Sequence, residues 1–282
     1  MENAIGLINK KYLSFSTVEK KIADSILANP EKVIYMTTAT LAQQIGVSQG
    51  SIINFSNALG FTGFSELKLN VAQNLPNHEK IISEEIGTED SAHTVLKKLS
   101  NEIIQTFQMT ISAIQNSELE QAANLLTGKK RIEIYGVGSS SMIANDAYYR
   151  LMRQGMPVYA ITDAHIASVS ASLLTSDSVV VVISYSGRTV ETLKAAKIAK
   201  SKGASVISLT SFVDSPLAKL SDVCLVSASK ETDKLKEAMA ARHSQLLILD
   251  ALLMYISFKD IDKTLEYVEN ITEVIGEHRI QE

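Results

Sequence analysis

The chain has 282 residues, 45% hydrophobic and 21% charged, enough for two domains or one large one with a true core. A net charge of −4 excludes a chain that binds nucleic acid along its whole surface, so any such binding has to be local. One cysteine, Cys224, excludes an intramolecular disulfide framework. With no signal-peptide core and no apolar run near about 18 residues, the chain is expected to be cytoplasmic and to contact no membrane.

The first 75 residues read as short helices. "SFSTVEKKIADSILANP" opens with the capping-box spacing of Ser16 and Glu19. Val18, Ile22, Ile26 and Leu27 mark one apolar face, and Pro30 is expected to close the segment. "TTATLAQQIGVSQGSIINFSNALGF" follows. Leu41, Ala42 and Ile45 predict one short helix, Gly46 a turn, and Ile52, Ile53, Phe55 and Leu59 a second helix. The polar, acidic stretch 74–90 marks a boundary. After it, Val95 or Leu96, Leu99, Ile103, Phe107, Ile111 and Ile114 form the stripe of a helix expected to pack on its own domain, with a partner subunit as the other option. The expected division is a helical domain over 1–77, a linker and connecting helix over 78–110, and a second domain over 111–282.

From Arg131 the period changes. "RIEIYGVG", "MPVYAIT", "SVVVVISYSG", "ASVISLTS" and "DVCLVSAS" are five β-rich runs, the first four each followed by a helical segment or a short helix-like turn. That alternation predicts a parallel sheet with helices on both faces, with Cys224 as a buried, inert thiol in its fifth run. "RHSQLLILDALLMYISF" reads as a largely buried helix and "DKTLEYVENITEVIGEH" as an amphipathic one.

Two strand-to-helix corners carry the chemistry: "IYGVGSSSMIAND", with Gly136, Gly138, Ser139, Ser140 and Ser141, and "VVVVISYSGRTVET", with Ser184, Tyr185, Ser186, Gly187 and Thr189. Ligands of open parallel sheets bind at such corners. Glycine lets the backbone approach, first-turn N–H groups favour an anion, and hydroxyls add donors without fixed charge. Two such corners suit one compact oxyanion, a phosphate monoester. Plain N-capping by Ser139 and Thr189 is the competing reading. A dinucleotide site is the other: Gly136-x-Gly138 and Asp163 hint at it, but Ser141 stands at the third glycine position and the second corner has no task in that fingerprint.

"GVGSSS" and "SYSGRTVET" resemble the signature loops of the SIS (sugar isomerase) domain over roughly residues 125–258. The resemblance implies a five-stranded parallel αβα sandwich that binds phosphorylated sugars, with Ser139, Ser140, Ser184, Ser186 and Thr189 around the phosphate. "TTATLAQQIGVSQGSIINF" has helix-turn-helix spacing: Ala42 permits close contact, Gly46 makes the turn, Val47 and Ile52 face the core, and Ser48 caps the second helix. With its "LGFTGFSELK" tail it resembles the N-terminal domain of RpiR-type (MurR/RpiR) transcriptional regulators, which carry a SIS domain behind it. The resemblance thus spans nearly the whole chain: an all-α helix-turn-helix domain followed by an α/β SIS domain.

On the second helix Gln49, Ser51, Asn54 and Asn57 would be exposed, and Asn and Gln suit adenine in the major groove. With Thr38, Ser48 and Lys68 they are the expected DNA-binding residues. Relatives usually carry basic residues on this helix, notably where Asn54 stands, whereas no lysine or arginine occurs between Val33 and Leu67 here. Phosphate attraction would rest on Lys10, Lys11, Lys20, Lys21 and Lys68. Weak or strongly dimer-dependent DNA binding follows, or a helical module that only packs.

An isomerase would need an acid/base pair, for which Glu237 and His243 in "KLKEAMAARHSQL" are the candidates. His165 is expected to line the pocket or pack at a helix start. No grouping has metal-ligand spacing, so neither metal nor cofactor is expected. The favoured reading is a non-enzymatic sensor: a sugar phosphate between the corners, Arg242 or His243 closing over it, in a homodimer or homotetramer bound to a double-stranded DNA operator.

Overall fold

The computed structural model describes residues 3–73, 86–229 and 239–276. Its contacts divide into two compact units, Met1–Ile114 with Ala228–Ala241, and Gln115–Ser227 with Arg242–Glu282. No described helix is long and apolar enough to cross a membrane.

The first unit is helical: α1 (Ala4–Lys11), a 3-10 turn at Tyr12–Ser14, α2 (Thr17–Ala28), α3 (Pro30–Val33), α4 (Thr38–Ile45), α5 (Gln49–Ala58), α6 (Phe64–Gln73) and α7 (Ala92–Ala113). At the start of α2 the Ser16 N–H donates to the Glu19 carboxylate at 2.8 Å while the Glu19 N–H reaches the Ser16 hydroxyl, closing the capping box. Helix α2 ends at Ala28. Pro30 opens the single turn α3 rather than closing α2, because proline's missing N–H costs nothing at a first helical position. Ile8, Ile22, Ile26, Leu41, Ile52, Phe55 and Leu67 are fully buried and form one core.

Between α4 and α5 the chain reverses through Gly46 at φ 69°, a left-handed conformation that a Cβ disfavours. The Val47 N–H then donates to the Ala42 carbonyl at 3.0 Å, and the Ser48 hydroxyl accepts the Ser51 N–H at 3.1 Å. Of the apolar stripe expected on α7, Val95, Leu99, Ile103, Phe107 and Ile114 are half-buried. Thr106, Thr110 and Ala113 are buried, whereas Leu96 is 62% and Ile111 69% exposed. Helix α1 packs on α7, and a Cβ on Gly6 would collide with the Ser112 carbonyl, so closeness of the backbones selects small residues there.

The second unit runs α8 (Asn116–Leu126), β1 (Arg131–Tyr135), α9 (Ser140–Met152), β2 (Val158–Ile161), α10 (Ala164–Ala171), β3 (Ser178–Ile183), α11 (Val190–Ser201), β4 (Ser205–Thr210), α12 (Pro216–Leu220), β5 (Val223–Val226), α13 (Met239–Lys259) and α14 (Ile261–Gly276). The five strands pair in parallel in the order β2-β1-β3-β4-β5. All six residues of β3 are buried, as expected of a central strand covered on both faces. Ala167, Ala171, Ala195, Ala196, Ala199 and Leu217, from α10, α11 and α12, pack on Tyr135, Val180, Val182 and Val206. Ile132, Ile134, Val179, Val181 and Ile207 alternate to the opposite face, where α9 contacts β1 and β3 and α8 contacts β5. Helix α13 joins that layer through the Arg150–Asp250 ion pair at 3.0 Å and the Tyr255–Glu120 hydrogen bond at 3.3 Å. Cys224 is half-buried in β5.

Among the described residues, one acidic side chain is buried outright. The Glu133 carboxylate, in the middle of β1 and 0% exposed, accepts from Arg131 Nε at 2.7 Å, from the Ser170 hydroxyl of α10 at 2.6 Å, and from the Tyr135 hydroxyl. Burial, then the neighbouring carboxylate, pushes the Tyr135 phenol well above its ordinary pKa. Arg131 also lies over the Tyr159 ring, 5.6 Å from its centroid. This network ties β1 to α10.

Two expectations follow for stability. Glu133→Ala leaves Arg131, Tyr135 and Ser170 without their shared acceptor and is expected to cost about 3 kcal/mol in urea denaturation; a change under about 0.5 kcal/mol would remove the network from the stability account. Gly50→Ala places a Cβ no nearer than 3.7 Å to any neighbour, in an ordinary helical conformation, so the helical unit is expected to gain about 0.5–1 kcal/mol.

Candidate functional site

In the strand order β2-β1-β3-β4-β5 the chain reverses direction of travel between β1 and β3, which makes their C-terminal ends a topological switch point. Tyr135 of β1 stands opposite Val182 of β3, so the two loops leave neighbouring strands at one level. These are the hydroxyl corners: residues 136–141 and 184–189.

In the first loop Gly136 is buried, and a Cβ there would lie 2.6 Å from the Ser140 carbonyl oxygen and 3.2 Å from Ala144 Cβ. Only glycine lets the loop pass that close to α9. Gly138 adopts φ 58°, and the Ser141 N–H and hydroxyl both donate to its carbonyl, at 3.1 and 2.7 Å. Ser139 occupies the N-cap position of α9, is exposed, and its side chain makes no capping hydrogen bond.

In the second loop Ser184 is buried and its hydroxyl lies 3.2 Å from that of Thr189. Gly187 turns at φ 60°, and a Cβ would lie 2.6 Å from Ser215 Cβ and 3.0 Å from the Thr210 hydroxyl. The Ser186 hydroxyl accepts the Arg188 N–H at 3.2 Å, and Arg188 itself is exposed. Thr189 is the N-cap residue of α11, again without a side-chain capping bond. By contrast Ser16, Thr37, Ser48, Ser91, Asp163 and Ser215 each accept an N–H at their helix starts. The plain capping reading of Ser139 and Thr189 therefore has no hydrogen bond behind it. Asp163 is occupied as the cap of α10, accepting from Ile166 N–H at 2.8 Å, and leaves the dinucleotide reading without its acid.

The loops are braced by residues that motif reading passed over. The Thr210 hydroxyl donates to the Tyr185 carbonyl at 3.0 Å, the Ser211 N–H donates to the same carbonyl at 3.0 Å, and the Leu217 N–H donates to the Gly187 carbonyl at 3.2 Å. The run "LTSFVDSP" at the end of β4 is a third hydroxyl corner, and that was its sequence signal. Arg242 and His243 stand near the start of α13, Arg242 exposed and His243 half-buried, and Arg242 bonds to neither loop. His165 is exposed in the first turn of α10. Glu237 lies outside the described residues.

On the helical unit, Ile52, Phe55, Ser56 and Leu59 of α5 are buried, and Gln49, Gly50, Ile53, Asn54 and Asn57 are exposed. Ser48 is the N-cap of α5, with its hydroxyl 2.8 Å from that of half-buried Ser51. Thr38 is half-buried at the start of α4, whose cap is Thr37. Lys68 donates to the Met36 carbonyl at 2.7 Å and lies over the Phe64 ring, and Lys11 donates to the Ala58 carbonyl at 3.1 Å, at the end of α5. Among the five lysines expected to attract phosphate, Lys11 and Lys68 are thus bonded to backbone carbonyls, and Lys20 lies 5.8 Å over the Tyr12 ring.

Residues 2–78 match the family model described as "Helix-turn-helix domain, rpiR family", and residues 125–255 match the SIS domain. An uncharacterised HTH-type transcriptional regulator of Caldanaerobacter subterraneus is 35% identical over 280 residues, 99% of each chain. The HTH-type transcriptional regulator RpiR of Escherichia coli is 30% identical over 266 residues, 93% of this chain and 90% of that one. Among solved structures, the Vibrio vulnificus NanR protein complexed with ManNAc-6P superposes with a TM-score of 0.63 at 25% identity, covering 98% of this chain and 100% of that one. The sugar isomerase domain of an RpiR transcription factor from Sphaerobacter thermophilus shares the fold, with a TM-score of 0.57 at 17% identity over 64% of this chain and 98% of that one. The chain belongs to the rpiR family of helix-turn-helix transcriptional regulators, with a SIS domain behind its DNA-binding head.

Proposed function

We propose that the SIS domain of this regulator senses a phosphorylated sugar, whose phosphate is held between Ser139 and Ser140 on one loop and Ser184, Ser186 and Thr189 on the other. The observation that carries the reading is the pair of helix N-termini at the switch point whose cap side chains, Ser139 and Thr189, make no capping bond and so stay available to a ligand. The NanR structure complexed with ManNAc-6P, matched over nearly the full chain, supports a sugar phosphate as the class of ligand. Gly136, Gly138 and Gly187 keep the loop backbones close, and Arg242 or His243 closes over the ligand from α13.

The chain acts as a cytoplasmic sensor rather than an enzyme, and its ligand changes the relative placement of two heads in a homodimer. Half-site spacing is strict, so a small change in placement alters operator affinity. The exposed Leu96 and Ile111 on α7, and Leu265, Val268 and Val274 on α14, support burial of these faces between subunits. Each head presents Gln49, Ser51, Asn54 and Asn57 to the major groove, with Thr38, Ser48 and Lys68 at the edges of the contact.

A gel-shift assay on the DNA upstream of the gene, repeated across a panel of sugar phosphates including ManNAc-6P, tests the whole reading. Binding of one sugar phosphate without turnover, together with a change in operator affinity, is expected; formation of a new sugar isomer at catalytic rates would overturn it. Thr189→Val is expected to cost about 1 kcal/mol of stability, the worth of its bond to the Ser184 hydroxyl, while sugar-phosphate affinity measured by calorimetry falls about tenfold. Residues 1–77 carry six basic and five acidic side chains. The slope of log K against log salt for operator binding is therefore expected to be no steeper than about −4, and a slope beyond about −8 would contradict it.

A further inference from the structure

The burial pattern of α5 leaves Gly50, Ile53, Asn54, Asn57 and Ala58 pointing outward. This face holds no lysine, arginine, aspartate or glutamate. Guanine is read by arginine or lysine and cytosine by a carboxylate, so the face lacks the usual partners of a G·C pair. It does hold the partners of an A·T pair: two asparagines for adenine N6 and N7, and an aliphatic side chain for the thymine methyl. Ile53 is 43% exposed on this face and is not among the residues packed on the head's core. Lys11 is held on the Ala58 carbonyl at the C-terminal end of α5, and Lys68 on the Met36 carbonyl ahead of α4.

Gly50 adds an independent observation. Its backbone is ordinary right-handed helix, and a Cβ would meet only the Ser48 hydroxyl at 3.7 Å. Nothing inside the head calls for glycine, yet it lies in the first turn of the outward face. A missing side chain there serves whatever comes against the helix from outside, by allowing its backbone to be approached closely.

We propose that α5 reads A·T pairs in each operator half-site, Asn54 and Asn57 on adenine edges and Ile53 on thymine methyl groups, with the bare backbone at Gly50 seated against the DNA. The proposal rests on α5 being the recognition helix and names what it recognises. Selection of the full chain on duplexes with a randomised core is expected to enrich half-sites in which A·T pairs occupy the strongest positions. Enrichment of fixed G·C pairs at those positions would overturn the base assignment. Failure to enrich any sequence, with the protein folded and the sugar-phosphate panel present, would instead remove α5 as a recognition helix.

On the enriched duplex, replacing thymine by deoxyuridine removes only the methyl group. Wild-type affinity is expected to fall about fivefold or more, and that of Ile53→Ala to change little between the two duplexes. Equal sensitivity of both proteins would exclude Ile53 as the methyl reader. Gly50→Ala is expected to bind the same duplex about tenfold more weakly while its head melts at a higher temperature. That opposition of signs is not produced by a structural role, and binding at wild-type strength would exclude the close approach.

Discussion

The first turn of an α-helix presents N–H groups that have no partner within the helix, and something must satisfy them. Six of the described helices do so locally, with a serine, threonine or aspartate at the cap. Helices α9 and α11 do not, although Ser139 and Thr189 stand in the right places. Strand order brings these two starts to neighbouring positions, since β1 and β3 pair directly and their loops leave at one level. The binding proposed for the second domain would rest on that coincidence of topology and uncapped helix starts. Glycines 136 and 187 then hold each loop in place, by steric closeness to Ser140 in one case and to Ser215 in the other.

Much of this was legible in the residues. Five β-rich runs gave five parallel strands, because buried strands between crossover helices must be apolar and short. The helix-turn-helix was legible for a different reason: glycine is the residue most suited to the left-handed turn at Gly46, and Ser48 two residues on is one of the few types that cap a helix start. The two site loops were readable because hydroxyls and glycines at strand ends have few structural uses in such number. Their bracing by Thr210, Ser211 and Leu217 was not, since those contacts join segments more than twenty residues apart.

On α7 periodicity shows the packed side but not which residues lie deepest on it. Val95, Leu99, Ile103 and Phe107 are half-buried, whereas the fully buried positions are the small Thr106, Thr110 and Ala113 of a helix that α1 approaches closely at Gly6. The buried Glu133 is a second case. A charged residue in the middle of an apolar strand gives no sign of its partners, which come from the same strand at Arg131 and Tyr135 and from α10 at Ser170. Lys11 and Lys68 are a third, because a lysine that bonds a backbone carbonyl looks in sequence like one that awaits a phosphate.

The near-neutral head has a consequence for how such a regulator would find its operator. Proteins with strong phosphate attraction spend most of their time on arbitrary DNA and reach their targets by sliding along it. A head whose charges almost cancel, and two of whose lysines are engaged by its own carbonyls, has little to hold it there. Its search would then be by encounter from solution, leaving a larger fraction of its copies free to meet a sugar phosphate.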